Sequence, residues 1–217
     1  MVESTSEQKS EKNDTHEEGK WASFICINLL NNPDAKLRLE KVRDKLANSL
    51  EAEGVTGVTK LGDFHCSLSK SFVLKNYELA PFGKALTKSM IGIGETFELS
   101  VVKNRFRVLP GYSTGLAYIV LEVSESSQDW LNNLAGKATE VIQTSTFDGK
   151  TYHYFENPIH HVSILSVKYD LEKVTELQEI CDKYGAKDDD PEKYIDTTVS
   201  EIEFKTGHQI KQIRFLS

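Results

Sequence analysis

Two histidines each stand two residues ahead of a serine: His65 before Ser67 in "GDFHCSLSK" (62–70) and His161 before Ser163 in "NPIHHVSILS" (157–166). In an extended chain successive side chains point to opposite faces, so each His-x-Ser places an imidazole and a hydroxyl on one side. Phe64, Cys66 and Leu68 fall on the other side of the first stretch, and Val162 and Ile164 on the other side of the second. His160 shares the parity of Val162 and is read as structural. A lone His-x-Ser is most often a satisfied core histidine; two on like strands point to a site. An imidazole titrates near about 6.5, so one of a pair can accept a proton while the other donates. Cleavage of RNA by its own 2′-hydroxyl needs such a pair. A base deprotonates the ribose 2′-OH, an acid protonates the leaving 5′-oxygen, and neighbouring hydroxyls bond the phosphate oxygens as charge grows on them. That chemistry asks for no cofactor and no metal, and the carboxylates near these motifs lack metal-ligand spacing.

The elements that must carry these residues follow from periodicity. "ASFICINLL" reads as a buried strand, and "NNPDAKLRLEKVRDKLANSLEAEG" as a helix capped by Asp34, with Leu37, Val42, Leu46 and Leu50 as its apolar stripe and Gly54 at its end. The His65 strand comes next. Residues 78–91 form a helix, 96–109 and 116–123 paired strands, and "PGYSTG" the turn between them. A helix over 126–144 carries Trp130, Leu134 and Val141 inward, and the His161 strand covers 157–169. A helix near 171–184, an acidic loop and a hairpin turning at Gly207 complete the chain. Each half thus offers a helix followed by a strand with His-x-Ser. Two such lobes face to face would bring the polar strand faces across one groove.

Composition sets the outer bounds. The chain has 217 residues, enough for one substantial core, and no apolar run of membrane-spanning length. Residues 1–20 are almost wholly polar and are expected to form a disordered tail, leaving 21–217 as one domain. No apolar signal-peptide core stands at the N-terminus, which argues against secretion. Cys26, Cys66 and Cys181 form no CxxC pair, and reduced thiols are expected. The net charge of −7 is uneven: residues 60–110 hold eight Lys or Arg against four Asp or Glu. An anion-binding face is compatible with that distribution. Lys70, Lys75, Lys84 and Lys88 could steer an RNA strand toward His65.

The two motifs, about a hundred positions apart and each behind an apolar residue, resemble those of the 2H phosphoesterase superfamily. Within it, "FHCSLSKSFVLKNYELAPFGKAL" and "YFENPIHHVSILS" are similar to the U6 small nuclear RNA phosphodiesterase family. Shared features are H-x-S-L-S followed by a "PF" helix, an aromatic–x–x–P segment before the second motif, and "AYIVLEVS" between them. The resemblance implies a bilobal α/β (α+β) fold, two pseudo-symmetric lobes of antiparallel sheet plus helices around a central groove. It implies a nuclear 3′→5′ exonuclease that trims the oligouridine tail of U6 RNA, binding a single-stranded 3′ end without a membrane and acting as a monomer. His65 and His161 would be the acid–base pair and Ser67 and Ser163 the phosphate contacts. Phe155 would stack the terminal base, replacing a tyrosine usual in the family. Tyr112, Ser69 and Asn157 complete the expected substrate contacts. Two other readings stay open: a 2′,3′-cyclic nucleotide phosphodiesterase or ligase-like 2H enzyme of tRNA processing, and a non-catalytic RNA-binding module.

Overall fold

The computed structural model describes residues 19–111, 115–146, 151–155, 158–168, 173–187 and 192–215. The chain runs β1 (Lys20–Asn28), α1 (Pro33–Ala52), β2 (Val58–Lys60), β3 (His65–Ser67), β4 (Phe72–Lys75) and α2 (Leu79–Ser89). It continues through β5 (Phe97–Gly111), β6 (Leu116–Val123), α3 (Glu125–Ser145) and β7 (His161–Lys168). The last elements are α4 (Val174–Ala186), β8 (Tyr194–Val199), β9 (Glu201–Thr206) and β10 (Gln209–Arg214). Among the described residues the strands form one antiparallel sheet, in the order β10-β9-β1-β3-β7-β6-β5-β8, with β4 added on β1 and β2 on β7. The two expected lobes are therefore the two halves of one sheet. They meet where β3 lies beside β7, the two strands that carry the His-x-Ser motifs.

Local chemistry explains the boundaries. Asn32, not Asp34, caps α1: its side-chain oxygen accepts from the backbone N–H of Asp34 and of Ala35, and Pro33 opens the helix without a donor to lose. The buried stripe of α1 runs through Ala35, Leu39, Val42, Leu46 and Leu50. Leu37, expected inside, is 50% exposed, because the face is set by Leu39 and its i±3/i±4 neighbours. Helix α3 buries Leu131, Leu134, Ala135, Ala138, Val141 and Ile142. Gly185 lets α4 lie against β5; a Cβ there would sit 2.3 Å from the carbonyl oxygen of Asn104. Gly207, at φ +53°, turns the β9–β10 hairpin as its sequence suggests. β2 and β4 are too short for an alternating pattern to reveal them. The expected tail ends two residues sooner than read, since Lys20 already pairs with Lys75. Residues 1–18 lie outside the described part of the chain.

Candidate active site

The β3–β7 seam is the centre of the sheet and of the site. Cys66 pairs with Val162 across it. One step to either side, the antiparallel register sets Ser67 against His161 and His65 against Ser163. Both imidazoles and both hydroxyls thus share one face and are partly accessible, while Cys66 and Val162 are fully buried on the other. Burial pushes the Cys66 thiol up to about 12, in keeping with a core role. A register shift between β6 and β7 at Ile119/Val120 puts an irregularity in β7 just beyond Ser163. Such bulges re-aim side chains beside active sites.

The two histidines are tethered alike. His65 Nδ1 lies 3.0 Å from the carbonyl oxygen of Asp63, and His161 Nδ1 lies 2.6 Å from that of Ile159. A carbonyl only accepts, so each Nδ1 carries a proton and each Nε2 is left for the groove. Their surroundings differ. His65 packs against the Phe24 ring at 5.7 Å, and the Asp63 carboxylate stands 3.5 Å from its Nδ1. Lys205 bridges Asp63 at 3.4 Å and Glu203 at 3.5 Å. Across the seam, Glu122 pairs in register with His161 and is bound by Arg107 and, at 3.8 Å, by Arg105. His161 titrates below the ordinary histidine value, chiefly because it is buried. The Ile159 carbonyl and Glu122 oppose that shift, and the charges of His65 and Arg107 add to it. Asp63, Phe24, Lys205, Glu122 and Arg107 were not singled out in the sequence. They flank the motifs only through strand pairing, which no local pattern displays.

The segment before β7 closes one end of the groove. Tyr154 donates its hydroxyl to the Ser67 carbonyl oxygen at 3.3 Å, and Tyr152 accepts from the Lys70 backbone N–H at 2.9 Å. Residues 152–155 are coil, so strand parity does not choose between Tyr154 and Phe155; burial does. Tyr154 is half-buried, and Phe155 is 57% exposed with the Lys70 ammonium 4.1 Å from its ring centroid. Ser69 is a correction. It is 5% exposed and its hydroxyl accepts from the Ile25 backbone N–H at 2.8 Å, tying β1 to the chain leaving β3. The strand ends at Ser67, so the alternation that would have turned Ser69 to the groove has already stopped. Tyr112 and Asn157 lie outside the described residues. His160 is buried and bonds Asn132 at 3.0 Å, as expected of a structural group.

A family model described as HVSL, an uncharacterised conserved protein, matches residues 2–214. The mouse (Mus musculus) protein named U6 snRNA phosphodiesterase 1 is 26% identical over 200 residues, covering 89% of this chain and 68% of its own. Among solved structures, Kluyveromyces marxianus Usb1 superposes with a TM-score of 0.68 at 11% identity, covering 91% of this chain and 98% of its own. The same protein with uridine monophosphate gives 0.63 at 12% identity, covering 91% and 99%. This chain shares their fold.

Proposed function

The chain belongs to the HVSL family, and from that premise we propose that it is a 3′→5′ RNA exonuclease that shortens the oligouridine tail of U6 small nuclear RNA in the nucleus. The observation that carries the reading is the seam itself, where two His-x-Ser motifs lie side by side with both Nδ1 atoms tied and both Nε2 atoms free. Support comes from the mouse relative's name and from a Usb1 structure solved with uridine monophosphate.

In this reading His161, kept neutral by burial, takes the proton of the 2′-OH on the penultimate nucleotide. The 2′-oxygen bonds to phosphorus and the P–O5′ bond breaks. His65, protonated beside the Asp63 carboxylate, gives its proton to the departing 5′-oxygen. Ser67 and Ser163 donate to the non-bridging oxygens as their charge grows. The shortened RNA ends in a 2′,3′-cyclic phosphate, or in a phosphate if water then opens the ring, and the released uridine carries a free 5′-OH. One chain supplies both motifs, so no second copy is required. The proton transfers call on no metal.

The test is a single 2′-deoxy substitution. At the penultimate nucleotide of oligouridine it abolishes cleavage while binding persists; at the terminal nucleotide it does far less. The assay is run in EDTA and the new ends are identified by mass. Release of uridine 5′-monophosphate, or strict dependence on an added divalent ion, would overturn the reading.

A further inference from the structure

Helix α3 carries a glycine that folding does not ask for. Gly136 lies in the middle of the helix, where glycine costs stability relative to alanine. A Cβ built there meets nothing within 4 Å. Gly185 offers the contrast, because there the backbone of Asn104 leaves no room. The open space above Gly136 belongs to a groove of about 790 Å³ between α3 and the segment before β7. That volume lies within the range of about 300–1,000 Å³ common for small-ligand sites. Phe155 forms one wall, and Asn132, Ala135, Gly136, Thr139 and Glu140 form the other.

Three features suit this space to a flat base. Lys70 occupies one face of the Phe155 ring, so a stacking partner must take the side that lines the groove. Glu140 is the single charged residue lining it among the described residues, and a carboxylate turns phosphate away from the groove. Finally, the Asn132 side chain is aimed. Its Oδ1 accepts from Nε2–H of the buried His160 at 3.0 Å, which fixes the amide and leaves Nδ2 as a donor.

We propose that the α3 groove reads the edge of the 3′-terminal base stacked on Phe155, Gly136 giving it room and Asn132, held by His160, giving it a hydrogen-bond donor. This rests on the RNA-cleaving reading above and adds base recognition to it. A donor at that edge favours uracil, which presents a carbonyl where cytosine presents an amine.

Two variants test the groove by titration with uridine monophosphate, a measurement that needs no catalysis. Gly136→Leu fills the space without removing a contact and weakens binding by about fivefold or more, the scale of one lost base stack. Its melting temperature does not fall, since leucine is the better helix former. Asn132→Asp keeps an acceptor for His160 and replaces the donor by an oxygen, so the preference for uridine over cytidine monophosphate drops at least fivefold. Cleavage gives an independent arm: the preference for a uridine-ended over an abasic-ended oligouridine falls at least tenfold in Gly136→Leu. Unchanged nucleotide affinity in Gly136→Leu together with unchanged selectivity in Asn132→Asp overturns the groove, whether or not RNA is cut. Nucleotide binding that responds as stated, without RNA cleavage by the wild type, overturns the exonuclease instead.

Discussion

At the scale of single residues, the two imidazoles share a tether and differ in surroundings, and the difference assigns their work. A base must be neutral before it can accept a proton, so the rate rises as pH passes upward through the value of His161. Burial places that limb below the ordinary histidine range. Arg107→Gln removes a cation that lowers His161 and frees Glu122 to raise it, so the acidic limb of kcat/KM moves to higher pH. A limb that stays in place shows that His161 is not the base. Substituting either His65 or His161 by alanine costs on the order of 10²–10⁴ in rate, measured in single turnover. His160 answers to another assay. Burial, helped by the charge of His161, holds it down to about 4, whereas an unfolded histidine binds its proton near about 6.5. The folded state therefore binds fewer protons in that window. Stability is fully present above it and is lost as pH falls from about 6.5 to about 4. Thermal melts of His160→Gln across that range show a shallower loss than the wild type. An equal slope would place the sensitivity elsewhere.

At the scale of elements, caps and close approaches decide what each segment tolerates. Asn32→Ala removes the oxygen that serves two backbone donors at the start of α1 and costs about 1 kcal/mol by denaturant titration. Gly185→Ala drives a methyl into the Asn104 carbonyl and lowers stability by about 1–3 kcal/mol, unlike the open position in α3. Ser69→Ala deletes the bond to Ile25, so it lowers the melting temperature and leaves KM near the wild-type value. An altered KM with unchanged stability would return Ser69 to the groove. The same elements show what could be read in advance. His65, Ser67, His161 and Ser163 were legible because period-two alternation survives in any register. Asp34 was taken for the cap of α1 since Asp and Asn are equivalent by type, and only the backbone turn at Pro33 separates them. Ser69 misled because alternation says nothing of where a strand stops. Glu122, Arg107 and Lys205 join the site through neighbouring strands far away in sequence, and pairing of that kind leaves no local trace.

At the scale of the whole molecule, the sheet is one surface built in two halves, each giving one histidine and one serine to the join. The join has a single registered pair between β3 and β7, steadied by β2 alongside. Activity is therefore a logical conjunction: it is on only when both halves are folded and in register, and neither alone holds a fraction of it. Turnover then doubles as a sensor of complete folding, failing no later in a denaturant series than tryptophan fluorescence does. A mixture of His65→Ala and His161→Ala chains stays silent as long as each chain keeps its own two halves together. Signal emerging from that mixture would reveal chains that trade halves, each intact site borrowing His65 from one molecule and His161 from another.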